Sequence, residues 1–244
     1  MLAPVHPETS SRLHAVVFDM DGVLVDSHPA HRLAWREFLR TLGKEVTESE
    51  LDFVLEGGKR DEILVHFLGP LTEAELRDYG RRKSDLFWRA ASEVAPIPGV
   101  YEFIECVHRA GIPMAVATSA SSSRTRSILK RLGLLAHFTA VVTGDEVRGG
   151  KPDPGIYLLA CQRMNCPPSA AVAVEDAAAG VLAAKRAGLR CVAITKCGSE
   201  EKLTAAGADC VLPDFVNLTL QRLHSLVGMQ PQHSGTPECS IDHS

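Results

Sequence analysis

His14-Ala15-Val16-Val17-Phe18-Asp19-Met20-Asp21-Gly22-Val23 is the stretch on which the reading of this chain turns. The run from His14 to Phe18 is short, apolar and β-branched, as in a strand buried on both faces. Two carboxylates follow, two positions apart, where a parallel strand leaves its sheet, and Gly22 permits a sharp exit. A buried strand has no packing use for two acids at its tip, and unpaired charge there is costly. A divalent metal and a phosphoryl group would compensate it. Taken alone, the Asp-x-Asp-Gly run also fits a plain turn.

Outward from this strand, similar apolar runs recur at Ile112–Thr118, Ala140–Gly144, Ala171–Glu175, Arg190–Thr195 and Asp209–Leu212, the first run itself reaching from His14 to Asp19. Helical patterns separate most of them, at Val100–Arg109, Ser122–Leu132, Pro154–Met164, Ala177–Ala187 and Ser199–Ala206. Gly111, Gly133, Gly188 and Gly207 stand where helix C-caps are expected. The alternation predicts an α/β fold, a Rossmann-like parallel sheet core with helices on both faces and ligands at the carboxyl ends of its strands. Residues 28–95 interrupt it. His31–Leu42, Glu48–Leu55, Arg60–Phe67 and Thr72–Ala95 all read as helices, which predicts an inserted all-α cap domain able to exclude water from the strand ends. Val25-Asp26-Ser27 would lead out to it and Pro96-Ile97-Pro98-Gly99 back. The expected division is a core of residues 13–27 and 96–227, a cap of 28–95, a mobile arm of 1–12 and a disordered tail of 228–244 with His233 and His243 solvated.

Bulk composition narrows the function. Among 244 residues, 26 are basic and 30 acidic, a net charge of −4 that argues against a nucleic-acid backbone binder. A small phosphorylated substrate remains compatible, because the charge inside a cleft matters more than the total. No apolar run reaches the ~18 residues of a membrane span, and residues 1–12 lack a signal-peptide core, so a cytoplasmic protein is expected. The seven cysteines are odd in number and mostly embedded in apolar elements, which favours reduced thiols over a disulfide framework. Cys161 and Cys166 have no second pair or nearby histidine to make a zinc site.

Four polar signals close successive strands: Asp19 and Asp21; Thr118-Ser119; Lys151, in Gly149-Gly150-Lys151-Pro152-Asp153-Pro154; and Glu175-Asp176. Singly, each has a plain explanation: a turn, a helix cap, a solvated loop lysine, and an acidic helix start. Together, each at its own strand end, they describe one site.

On these motifs, with a helical insert after the first strand, the chain resembles the haloacid dehalogenase superfamily, and within it the branch of β-phosphoglucomutases and sugar-phosphate phosphatases. The resemblance covers roughly residues 14–226. It implies Asp19 as a nucleophile forming an aspartyl phosphate and Asp21 as general acid and base. With Asp19 held anionic by metal, Asp21 is the carboxyl expected to carry a proton. It also implies Mg2+ as cofactor, bound by Asp19, the backbone carbonyl of Asp21, Asp176 and Glu175. Lys151 would neutralise developing charge, while Thr118, a better motif match than Ser119, would hold phosphate oxygens. Dehalogenases proper lack the second acid of the first motif, so Asp21 favours phosphoryl transfer. A phosphonatase would need a Schiff-base lysine, and Lys44, Lys59 and Lys83 show no local match to one.

The same resemblance makes His31, Gly58, Arg60, Lys83 and Ser119 the substrate-binding residues. Plainer readings stand beside it: His31 and Trp35 share a helical face and could both be packing, Lys59-Arg60 could be only a helix start, and Arg81-Arg82-Lys83 a solvated face. The expected activity is a Mg-dependent phosphatase of small sugar phosphates, acting as a monomer or weak homodimer. The alternative is a β-phosphoglucomutase-type mutase, which the Gly57-Gly58-Lys59-Arg60 form of the cap loop disfavours. A receiver-like phospho-acceptor module shares the Asp, Thr, Lys and metal but is shorter, lacks a lid and does not pair its Asp with an acid two residues on. A noncatalytic sugar-phosphate binder would not need every chemical position filled.

Overall fold

Side-chain size alternates along the buried strands, and that alternation sorts the two faces of the sheet. In the computed structural model, which describes residues 12–91, 94–195 and 199–228, the strands are β1 (Ala15–Phe18), β2 (Val25–Asp26), β3 (Ala95–Pro96), β4 (Met114–Thr118), β5 (Ala140–Thr143), β6 (Ala171–Glu175), β7 (Arg190–Ile194) and β8 (Cys210–Leu212). The helices are α1 (His28–Thr41), α2 (Glu48–Asp52), α3 (Arg60–Leu68), α4 (Glu73–Ala90), α5 (Val100–Arg109), α6 (Ser122–Arg131), α7 (Gly155–Arg163), α8 (Ala178–Arg186), α9 (Glu200–Ala205) and α10 (Leu220–Gly228). Val16, Phe18, Val116, Val172, Val174 and Val192 pack on one side with α5, α6 and α10. Ala15, Ala115, Ala117, Ala171, Ala173 and Ala193 face the other, where Ile156, Tyr157 and Val181 of α7 and α8 fill the space that the alanines leave.

Six strands form one parallel sheet in the order β5-β4-β1-β6-β7-β8. β1 is the switch point: the chain leaves it toward β4 on one side and returns as β6 on the other. In such sheets the crevice beyond the strand ends at that point is the ligand site. Phe18 is level with Val116 on one side and Val174 on the other, so Asp19 emerges level with Glu175 and one residue short of Thr118.

The insert expected over residues 28–95 folds as α1–α4 around Trp35, Phe38, Leu39, Leu51, Leu64 and Phe67. The outgoing and returning strands lie antiparallel, with Val25 opposite Pro96 and Asp26 opposite Ala95. Two-residue strands carry no periodicity, so they leave no signal in the sequence. The helix expected to reach Ala95 ends at Ala90, and Ala95 is extended instead. Pro96 disfavours helix in the residue before it, and pairing with Asp26 gives that residue its place. α10 is also absent from the sequence reading; it buries Leu223, Leu226 and Val227. No helix among the described residues is long and apolar enough to cross a membrane. Cys106, Cys161, Cys166, Cys191 and Cys210 are free thiols. Cys197, Cys239, His233, His243, most of the expected arm and nearly all of the expected tail lie outside the described residues.

Candidate active site

Asp19 sits where β1 ends, and its backbone N–H still bonds to the Val174 carbonyl at 2.9 Å. The chain then turns at Gly22, whose φ of +77° belongs to the left-handed region. A Cβ on Gly22 would overlap Asp176 Oδ2 and come within 2.5 Å of His28 Cε1. Only glycine combines that backbone with so close an approach. Gly22→Ala is therefore expected to cost about 2–4 kcal/mol from left-handed strain and overpacking together. Urea unfolding of the metal-free protein measures it; a stability within 0.5 kcal/mol or so of wild type would refute the crowding.

Asp19, Glu175 and Asp176 are buried, and each offers a carboxylate oxygen within 4.8 Å of the others. Lys151 reaches into this group, donating to Asp19 Oδ1 at 2.7 Å and to Glu175 Oε1. The Tyr157 hydroxyl donates to the same Glu175 oxygen at 2.6 Å, and His28 Nε2 lies 3.1 Å from Asp176 Oδ2. Gly180 makes room here as well, since a Cβ at that position would fall on the Glu175 carboxylate. Burial pushes the Asp19 pKa well above the carboxylate range; Lys151 opposes this, and Glu175 and Asp176 add to it. Burial likewise raises Asp176. The Lys151 pKa is itself raised: burial works against its charge, and Asp19 and Glu175 more than offset that. Three carboxylates against one ammonium leave an excess of negative charge on hard oxygen donors. That donor set fits a divalent cation of the magnesium type.

Above the carboxylates, Thr118 Oγ1 accepts the Ala120 N–H at 3.2 Å, and Ser119 donates its hydroxyl to the Gly57 carbonyl at 2.6 Å. The latter bond ties the loop after β4 to the insert. Lys59 adds a second tie, its Nζ donating to the Val147 carbonyl at 2.5 Å, and Glu62 a third, accepting from the Gly150 N–H at 3.3 Å. The insert thus lies over the strand ends and leaves between them a partly open cavity of about 360 Å3. Asp19, Asp21, Thr118, Ser119, Lys151, Glu175 and Asp176 line it from the core, and His31, Gly58, Arg60 and Lys83 from the insert. The residues that the resemblance names as catalytic, metal-binding or substrate-binding are therefore brought to one space.

The plainer readings resolve one by one. Lys59 precedes α3 as a helix start and also bridges to the core. Of Arg81-Arg82-Lys83, Arg81 pairs with Asp78 outside, while Lys83 turns inward and is buried. His31 and Trp35 do pack, and both face the cavity, with Lys83 Nζ 5.1 Å from the Trp35 ring centre. Arg60 is partly exposed, with Nε on Asp61 at 2.9 Å.

Asp21 is held as one half of an ion pair. Arg124 grips it with two parallel bonds, Nη1 to Oδ1 at 2.8 Å and Nη2 to Oδ2 at 2.6 Å. Ser27 donates to Oδ1 at 2.6 Å. Burial favours protonation, but the Arg124 charge and its paired hydrogen bonds outweigh it, and the Asp21 pKa falls well below the carboxylate range. The expected proton on Asp21 supposes a metal that holds Asp19 anionic; without one, Arg124 favours the Asp21 anion.

His31 bridges two cations. Arg124 Nη1 lies 2.9 Å from Nε2, and Lys83 Nζ lies 2.9 Å from Nδ1. Burial, then the Lys83 and Arg124 charges, lower its pKa to about 3. A guanidinium only donates, so Nε2 must accept, and the neutral ring carries its proton on Nδ1. Lys83 then accepts that proton's hydrogen bond as a neutral amine. Burial first, then Arg124, drive its pKa in that direction, well below the usual lysine value.

Arg124, His28 and Tyr157 are the site residues that the sequence reading missed. Arg124 had a signal: it stands in the first turn of α6, after the Ser121 cap and with no acid nearby in sequence. A cation there opposes the helix dipole, so its partner had to come from elsewhere in the fold.

Comparison with known proteins covers the stretch that carries these motifs. Residues 13–188 match the family model of haloacid dehalogenase-like hydrolases. A phosphorylated carbohydrates phosphatase of Thermotoga maritima is 36% identical over 178 residues, covering 72% of this chain and 82% of that protein. The β-phosphoglucomutase of Bacillus subtilis is 31% identical over 221 residues, covering 87% and 94%. The crystal structure of a CbbY variant from Rhodobacter sphaeroides, in complex with xylulose 1,5-bisphosphate, superposes with a TM-score of 0.78 at 32% identity, covering 86% of this chain and 99% of that one. With the match spanning the first strand, all four motifs and the insert between them, this chain belongs to the haloacid dehalogenase-like hydrolases, in their β-phosphoglucomutase and sugar-phosphate phosphatase branch.

Proposed function

We propose that the protein is a Mg2+-dependent phosphatase of small sugar phosphates working through an aspartyl phosphate on Asp19. The observation that carries this reading is the Asp19 carboxylate itself, exposed to the cavity floor between Lys151 and the pair Glu175-Asp176. Mg2+ would be held by Asp19, Glu175, Asp176 and the backbone carbonyl of Asp21, and when bound it supplies positive charge that offsets carboxylates and phosphate.

The chain's own residues do the rest. An Asp19 oxygen bonds to phosphorus as the ester P–O bond breaks, and Asp21, once protonated from solvent, gives its proton to the leaving alkoxide. In the second step Asp21 takes a proton from water, whose oxygen bonds to phosphorus as the Asp19–phosphorus bond breaks. Lys151 balances charge on the equatorial oxygens, and Thr118 and Ser119 orient them. The insert keeps bulk water from the intermediate. His31, Gly58, Arg60 and Lys83 face the sugar.

A mutase differs only in the acceptor of the second step, a sugar hydroxyl in place of water, and the B. subtilis relative carries that activity in its name. One assay separates the two: phosphate release with Mg2+ across sugar mono- and bisphosphates, including β-glucose 1-phosphate with and without its 1,6-bisphosphate. Release from several sugar phosphates is expected. Conversion of β-glucose 1-phosphate to its isomer without free phosphate would overturn the phosphatase reading.

A further inference from the structure

Asp21, the proposed proton carrier, is held in a two-pronged ion pair by Arg124, with its Oδ1 also bonded to Ser27. A carboxylate held this way has little freedom to serve a leaving group. Yet Arg124 is itself a lining residue of the cavity, its guanidinium carbon over the Phe87 ring, 4.9 Å from the ring centre, and Nη1 2.9 Å from His31 Nε2. On the other side of His31 lies Lys83, buried, facing the same cavity, with no carboxylate within 4.0 Å among the described residues. Arg124 and Lys83 therefore flank one imidazole at the cavity wall, and among the described residues only Arg124 has an anionic partner there. A planar guanidinium that already forms a fork on a carboxylate fits a phosphate equally well.

We propose that Arg124 is a specificity residue that couples recognition to chemistry: the second phosphate of a sugar bisphosphate takes its guanidinium from Asp21 and so frees Asp21 for proton transfer. The inference rests on the phosphatase reading for the role of Asp21. The exchange itself is a matter of ion pairing and requires no chemistry. A substrate lacking a second anion leaves Arg124 on Asp21 and reacts slowly. A substrate carrying one exchanges a carboxylate for a phosphate on Arg124, with Lys83 near enough to share the new charge.

The test pairs Arg124→Gln with wild type on glucose 6-phosphate, glucose 1,6-bisphosphate and p-nitrophenyl phosphate. The variant should lose about 10- to 100-fold in kcat/KM on the bisphosphate, the range of one charge-assisted hydrogen-bonded contact. It should gain several-fold in kcat on the two single-phosphate substrates, because the clamp on Asp21 is gone. Opposite signs support the proposal. A parallel loss on all three makes Arg124 only a support for Asp21 and overturns it, as does no change on any. A second arm needs no turnover: calorimetric titration of glucose 1,6-bisphosphate into Asp19→Asn protein with and without Arg124→Gln. Weakening of about tenfold or more by the second substitution supports the exchange, and equal affinities refute it. If wild type releases phosphate from nothing, the phosphatase reading falls, and the binding arm still decides whether Arg124 reads the second anion.

Discussion

Asp19→Asn is expected to lower phosphate release by a factor on the order of 10^4 or more, the scale seen when a nucleophile that acts as part of a unit is removed. The amide keeps the volume and can still accept from Lys151, so the fold should persist. Stability gives a second, independent reading of the same residue. Burial holds the Asp19 pKa above its ordinary range. A carboxyl raised in the folded state destabilises that state once pH exceeds its unfolded value near 4. Asparagine removes the penalty, so the metal-free variant should melt at the wild-type temperature or above it at pH 7–8. The difference should shrink as pH falls toward 4. Mg2+ should reverse the order by stabilising wild type more, since only the folded, fully charged cluster binds it well. Near-normal turnover would remove Asp19 as the nucleophile. A variant less stable than wild type at every pH would show that Lys151 depends on Asp19 more than Glu175 can replace.

How much of this was legible beforehand follows from what each residue answers to. The sheet was readable because β1, β4, β6 and β7 are buried on both faces and so read as unbroken apolar runs; α5 was found with its observed ends, Val100 and Arg109. The strand-end residues Asp19, Thr118, Lys151 and Glu175 stood out because each breaks the chemistry of its own surroundings. The partners of those residues did not. Tyr157 faces Glu175 from within an apolar helix, and nothing local separates it from a packing tyrosine. His28 reaches Asp176 across the fold, and no spacing rule connects residues so far apart in sequence. The pull of Arg124 on Asp21 was illegible for the same reason. Two nearby acids suggest that one is protonated, but the deciding charge is Arg124, more than a hundred residues away in the chain. Local sequence shows which groups are costly to bury. It does not show which long-range partner compensates the cost, and protonation depends on that partner.

Lys151→Met should be the most destabilising single change in the site, at about 3–5 kcal/mol, because it removes the one ammonium from three buried carboxylates while leaving the volume nearly constant. The pH dependence distinguishes this cause from a packing defect. In wild type the Lys151 pKa is raised, so its contribution is complete at neutral pH and fades only above about pH 10.4, the unfolded value. In the variant only the carboxylates titrate. Asp19 and Asp176 already lie above their usual range, and losing Lys151 drives Asp19, its direct partner, higher. The folded state then weakens steadily as pH rises from 5 to 8, and lowering the pH should recover much of the loss. Tyr157→Phe, which deletes a single hydrogen bond to Glu175, should cost only about 1 kcal/mol, with little of that slope. Chemical denaturation at pH 5 and pH 8 checks both variants. Mg2+ should restore part of the stability of Lys151→Met by replacing the missing positive charge. It should leave activity down by about 10^2–10^3, because the ammonium proposed to balance charge on the transferring phosphoryl group is still missing. A loss independent of pH and of Mg2+ would mean that the lysine stem, not its charge, is what the site requires.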